Sequence, residues 1–144
     1  MDKITIIGLG LIGGSIGLAL KENASDRIYV SGYDQDLDAN RKAAKLKAVD
    51  KAHWKLVDAL KDAKMVILAT PVLAIRDMMK TISDMLSPGC IVTDTGSTKV
   101  EIMKWAEDYL PEEVSFVGGH PMAGKEISGV SAAEASLFQK ARYA

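Results

Sequence analysis

Three glycines, Gly8, Gly10 and Gly13, stand in the spacing G-x-G-x-x-G inside the stretch ITIIGLGLIGGSIGLAL from Ile4 to Leu20. An apolar run precedes them, and a helical pattern of Ile12, Ile16, Ala19 and Leu20 follows. In that setting the glycines serve three separate ends, which are a tight exit from a strand, close approach of backbone to a pyrophosphate, and close packing of helix on strand. The helix N-terminus carries unsatisfied N–H groups and a partial positive charge, and it points at the place where phosphates lie. Leu11 and Ile12, between the second and third glycines, belong to the same cradle. A glycine-rich turn in an apolar hairpin would use the same residue type, and the loop by itself names no reaction.

A second chemical signal lies at Asp34, the end of the run RIYVSGYD, 21 residues beyond Gly13. An acidic side chain at that distance accepts hydrogen bonds from the adenosine ribose hydroxyls, and its charge repels a 2′-phosphate. With Gln35 and Asp36 next and no adjacent arginine, the expected cofactor is NAD and not NADP. Asp36 is better placed than Asp34 to cap the helix that follows. Thr70 and Pro71 end another apolar run, and Ser97 follows the run from Cys90 to Thr95. His120 comes just after the run beginning at Ser115. A histidine there offers a base that titrates near neutrality.

These residues need a scaffold that brings strand ends together. The chain alternates strand candidates at Lys3–Ile7, Arg27–Tyr33, Lys64–Thr70, Cys90–Thr95 and Ser115–Gly118 with helical patterns, which implies a parallel sheet with right-handed crossovers. Runs such as ITII, MVILAT and CIVTDT are nearly continuous in apolar residues, as expected where helices cover both faces. The expected fold class is therefore α/β, a doubly wound, mostly parallel sheet of the Rossmann dinucleotide-binding type. In such a sheet ligands bind outside the carboxyl ends of the strands.

Helices are read over Leu37–Lys47 and over Val72–Leu86, the latter with Ile75, Met78, Met79, Ile82, Met85 and Leu86 as its core face. A third carries Val100, Met103, Ala106 and Leu110 inward, opened by a T-x-x-E capping box of Thr98 and Glu101 that leaves Ser97 outside the helix. Pro71 is read as pre-setting the first turn of its helix. Ala48–Leu60 mixes a possible short edge strand with one amphipathic turn or two and is left undecided, with His53 at the surface and Trp54 covering the core edge. Cys90 is read as a small buried apolar residue.

Composition bounds the function classes. At 144 residues with 18 basic and 19 acidic side chains and no run of like charge, the chain suits one domain with a small-molecule partner. Neither nucleic acid nor membrane is expected as partner, and no metal site is expected. A single cysteine fits a reducing compartment, and with no targeting segment read, the expected location is cytoplasmic.

Three segments taken together resemble the prephenate dehydrogenase family: GLGLIGGS at 8–15, TDTGSTK at 93–99 and GGHPMAG at 118–124. The third joined to D-x-x-S-x-K, here Asp94, Ser97 and Lys99, is far more specific than the glycine loop. The resemblance extends to SLFQKARYA at the end, where members carry L-F-x-x-x-x-Y. It implies that residues 1–144 form the NAD-binding domain. It further implies a helical C-terminal domain, absent from this chain, that makes a homodimer and supplies an arginine for a substrate carboxylate.

The implied activity is NAD-dependent oxidation of prephenate with loss of CO2, giving 4-hydroxyphenylpyruvate for tyrosine biosynthesis. His120 matches the family's catalytic histidine, which hydrogen-bonds the ring hydroxyl at C4. Ser97 matches the serine that binds the same hydroxyl and orients that histidine. Lys125 and Glu126 occupy positions that approach substrate in relatives; Glu126 fits the common pattern, while a lysine in place of a small polar residue is a departure. Arogenate is the nearest alternative substrate. A β-hydroxyacid dehydrogenase shares the opening motif but not GGHPMAG, and an NAD-binding module inactive on its own is the reading from a different class.

Overall fold

A computed structural model describes residues 1–119 and Ala133, so His120, Lys125 and Glu126 lie outside the described residues. The elements alternate as β1 (Asp2–Ile7), α1 (Leu11–Ala24), β2 (Ile28–Tyr33), α2 (Leu37–Lys45), β3 (Lys51–Ala52), α3 (Leu56–Leu60), β4 (Met65–Leu68), α4 (Val72–Ile82), β5 (Ile91–Asp94), α5 (Lys99–Tyr109) and β6 (Ser115–Val117). All described pairings are parallel, in the order β3-β2-β1-β4-β5-β6. This is the doubly wound α/β architecture expected from the alternation, and the order in which strands are added switches sides between β1 and β4.

The register lines up the carboxyl ends. Tyr33 of β2, Ile7 of β1, Leu68 of β4 and Asp94 of β5 share one rung, so Asp34, Gly8, Ala69 and Thr95 all leave the sheet at the same level. Main-chain bonds carry the alignment one step further: Gly8 N–H donates to Tyr33 C=O at 2.9 Å and Ala69 N–H to Ile7 C=O at 2.7 Å.

Because successive side chains point to opposite faces, a continuously apolar strand feeds two cores. Ile4, Ile6, Val30 and Ile67 pack under α1 and α2 with Leu9, Ala43 and Val49. Ile7, Val66, Leu68 and Val92 pack on the other face with Leu60, Ile75, Met79, Ile82 and Ile102. Each fully buried aliphatic side chain stabilises the fold by roughly 1.5–3 kcal/mol. Cys90 is buried among them, and burial pushes its thiol above the ordinary range. The α4 methionines Met78 and Met79 are core, as their spacing indicated, with Met85 and Leu86 packed against the same cluster.

Several local expectations are corrected. The stretch Ala48–Leu60 holds both elements, the edge strand β3 and the short helix α3. The latter is held by strand polar groups: Thr5 Oγ1 donates to Ala59 C=O at 2.5 Å, Ser31 Oγ to the same oxygen at 3.2 Å, and Lys3 Nζ to Lys61 C=O at 2.7 Å. His53 is half-buried, while Trp54 is 71% exposed and covers no core edge. The second helix stops at Lys45, with Lys47 at φ +61°, and α4 stops at Ile82. Pro71 sits at the N-cap of α4 rather than in its first turn, its carbonyl accepting from Ala74 and Ile75.

The first helix buries glycines and a serine, Gly13, Gly14, Ser15 and Gly17, while Ile16 and Leu20 are only half-buried, because the helix lies too close to the sheet for large side chains. In α5 the inward residues are Ile102 and Ala106, while Val100 is 85% exposed and Met103 46%. Lys99 is drawn inward onto Asp94, and the stripe 99, 102, 106, 110 then faces the protein. Met103 falls at the margin of that stripe and Val100 outside it. Thr98 is the N-cap of α5, but its side chain makes no capping hydrogen bond, so the capping box is not formed. Among the described residues no helix is long and apolar enough to cross a membrane.

Candidate functional site

A cleft of about 570 Å3 opens at the carboxyl ends of β1, β2 and β4. Gly8, Gly10, Asp34, Thr70 and Pro71 line it, together with Tyr33, Gln35 and the α4 residues Asp77, Met78 and Thr81. Of the other predicted cofactor residues, Leu11 and Ile12 begin α1 half-buried and Gly13 is buried behind the loop. The fold thus brings Gly8, Gly10, Asp34, Thr70 and Pro71 to one cleft, while Leu11, Ile12 and Gly13 do not line it.

The three glycines separate into two kinds. Gly8 has φ +98°, and a β-carbon there would stand 2.6 Å from the Ala69 carbonyl oxygen. A β-carbon on Gly13 would overlap the Gly8 carbonyl oxygen. Both are demanded by the protein itself. Gly10 has an extended backbone at φ −87°, and a β-carbon there would meet nothing within 4 Å among the described residues. Neither its backbone nor any described neighbour requires glycine at that position, whereas a phosphate resting on such a loop would.

Other features also fit a dinucleotide. The first turn of α1 holds no acidic residue, its N-cap is Gly10, and among the described residues no side chain caps the helix N-terminus. Charge at that end would be met by free N–H groups. The buried Thr70 Oγ1, in the wall of the cleft, has no hydrogen-bond partner among the described residues, a demand that a ligand hydroxyl or amide can meet.

Asp34 is held before any ligand arrives. Its Oδ2 accepts from Leu9 N–H at 2.8 Å and its Oδ1 from Asp36 N–H at 2.9 Å. Asn40, buried on α2, clamps the Asp34 backbone by accepting from its N–H and donating to its C=O, both at 2.9 Å. Asp36 caps α2 through Asp38 N–H at 2.9 Å, the role expected of it. Sequence reading missed Asn40 and the α4 face; the clamp spans six residues and belongs to no motif, while Asp77 and Thr81 read as an ordinary solvated face.

Further along the same sheet edge stands Ser97, exposed in the loop between β5 and α5. Asp94, fully buried, accepts from Gly96 N–H at 2.8 Å and from Gly119 N–H at 3.1 Å, and it pairs with Lys99. The loop bearing Ser97 and the residue preceding His120 therefore meet on one carboxylate.

Comparison with known proteins agrees with this arrangement. The family model described as prephenate dehydrogenase, nucleotide-binding domain, matches residues 16–144. A prephenate dehydrogenase of Bacillus subtilis is 40% identical over 99% of this chain, which spans 38% of that protein. Among solved structures, prephenate dehydrogenase from A. aeolicus in complex with hydroxyphenyl propionate and NAD+ superposes with TM-score 0.89 and 32% identity, covering 99% of this chain and 49% of that one. Synechocystis arogenate dehydrogenase superposes with TM-score 0.88 and 35% identity, over 98% of this chain and 48% of that one. The chain spans half or less of each of these relatives. With its glycine cradle, its strand-end aspartate and a family match over most of its length, the chain belongs to the prephenate dehydrogenase family as a nucleotide-binding domain.

Proposed function

We propose that this chain is the NAD-binding domain of an enzyme that oxidises and decarboxylates prephenate to 4-hydroxyphenylpyruvate. The observation that carries the reading is the meeting of Gly96 and Gly119 on Asp94. It joins the loop of Ser97 to the residue before His120, at the sheet edge that also holds the dinucleotide cleft.

Gly8, Gly10 and the α1 N-terminus receive the pyrophosphate, and Asp34 accepts from the adenosine ribose hydroxyls while disfavouring a 2′-phosphate. When bound, NAD supplies the acceptor for the hydride that leaves C4 of the substrate ring. His120 takes the proton of the C4 hydroxyl, a step suited to an imidazole titrating near neutrality. Ser97 hydrogen-bonds that hydroxyl and orients the histidine, and Lys125 and Glu126 contact substrate. On this reading a helical domain beyond these residues supplies the carboxylate-binding arginine and a homodimer contact.

The test is NADH formation at 340 nm with NAD and prephenate, in the catalytically complete protein. Turnover of prephenate supports the reading, and NAD binding without turnover of either cyclohexadiene would reduce the chain to a binding module. A second reading, arogenate as substrate, draws on the 35% identity to Synechocystis arogenate dehydrogenase and on lysine at position 125. A higher kcat/KM for arogenate in the same assay would select it.

A further inference from the structure

The charge arrangement at the start of α5 runs against local rules. Lys99 occupies the first helical position, where the helix dipole disfavours a cation, and Thr98 at the N-cap makes no side-chain hydrogen bond. Asp94, its partner, is fully buried, while the Lys99 side chain retains 29% exposure. Taking a carboxylate out of water costs several kcal/mol unless close partners offset it, so stability alone favours an apolar pair at such a place. Local rules are broken most often where position matters more than stability.

What Asp94 holds indicates that position. Its Oδ2 takes the Gly96 N–H, one residue before Ser97, and its Oδ1 takes the Gly119 N–H, one residue before His120. Glycines beside the ion pair leave room for its two members. A β-carbon on Gly96 would stand 3.1 Å from Asp94 Oδ2 and 2.5 Å from the Ile102 side chain. One on Gly118 would stand 2.9 Å from Met103 Sδ and 3.3 Å from the Lys99 stem.

We propose that Asp94, neutralised by Lys99, is a positioning residue for the reaction: it locks the Ser97 loop and the main chain leading into His120 to one buried carboxylate. The proposal rests on the functional reading above and goes beyond it by assigning roles to Asp94 and Lys99, neither of which lines the cleft. Asparagine at 94 keeps one acceptor but cannot serve both N–H groups and the ammonium. Lys99 without its partner is left half-buried and uncompensated.

The experiment is a double-mutant cycle in the catalytically complete protein, with Asp94→Asn, His120→Asn and the pair, measured with NAD and prephenate. Asp94→Asn should lower kcat by about 10- to 100-fold, the scale of displacing a reacting group by about an ångström, with the KM and Kd for NAD unchanged. In the His120→Asn background the same change should cost less than about 3-fold, because the two act through one step. Equal losses in both backgrounds, unchanged turnover, or a loss that appears in NAD binding instead of kcat would each overturn the proposal. Should Asp94→Asn fail to fold, Lys99→Met enters the same cycle; a kcat loss of about 10-fold that Lys99→Arg restores is expected, and a Lys99→Met enzyme with full turnover overturns the proposal. If His120→Asn itself keeps full turnover, the functional reading fails first, and that result is separate from any of these.

Discussion

The two ends of the sheet's carboxyl edge are built on different principles. At the β1–β2 end, position is set by contact distances: Gly8 against Ala69, Gly13 against Gly8, and an aspartate held by two backbone N–H groups from neighbouring loops. At the β5–β6 end, position is set by one buried charge that gathers two loops and a lysine. Contact distances make a rigid cradle that needs no ligand to form. A shared carboxylate makes a joint whose members come from segments 25 residues apart in the chain and depend on one another. On the proposed function, binding belongs to the first construction and chemistry to the second, so damage to each end should read out differently.

The largest separation between the ends comes from His120→Asn. A general base contributes about 10²- to 10⁴-fold, so kcat should fall by that factor while NAD binding stays nearly unchanged. Wild-type-like turnover in a stopped-flow or steady-state NADH assay would remove the chemistry from this end altogether.

Asp34→Ser is the converse change. Each charge-assisted hydrogen bond is worth about 1.5–3 kcal/mol, so titration calorimetry should show NAD affinity lowered by roughly 10- to 100-fold, with discrimination against NADP relaxed. A parent protein that already preferred NADP would break the reading of this end.

Within the cradle, Gly13→Ala and Gly10→Ala should part company. The first forces a β-carbon into the Gly8 carbonyl oxygen and should destabilise the fold by about 1–3 kcal/mol, visible as a lower Tm without ligand. The second adds its methyl to open space, so Tm should hold while NAD binding weakens. Equal Tm losses would erase the distinction between a glycine demanded by the protein and one demanded by the phosphate.

The smallest effect lies away from both ends, at His53. Burial is the main cause holding its imidazole below the usual 6.5, with Lys3 and Lys51 adding to it and Asp58 opposing. A folded-state value lower than the unfolded one means that its contribution is present above pH 6.5 and lost as pH falls through the folded value. His53→Gln should therefore flatten the acid side of the stability curve slightly while leaving the cleft unchanged. A steeper acid loss in the variant would contradict that sign.

Signals confined to a few neighbouring residues were readable from the chain. The strand–glycine–helix unit, Asp34 at its spacing, the Asp36 cap and the α4 core stripe all depend on local periodicity and sterics. The α5 face was not readable: Val100 and Ile102 are equally apolar, and which one turns inward depends on Lys99 reaching Asp94. The empty capping box at Thr98 has the same origin, since a pattern that forms by default elsewhere yields here to a tertiary ion pair. Asn40 was missed because its clamp on the Asp34 main chain belongs to no motif, and the Asp77–Thr81 face because its partner is a cleft, which has no sequence pattern.

The chain by itself therefore determined the alternation of elements, the two-faced apolar strands and the identity of the residues at the strand ends, because those follow from side-chain period and backbone sterics. Only the tertiary structure decided that Gly8, Asp34 and Thr70 share one cleft, that a β-carbon on Gly10 would meet no described atom, and that Asp94 binds Gly96, Lys99 and Gly119 together. Register across four parallel strands sets those meetings, and register is a property of the assembled sheet and not of any single strand.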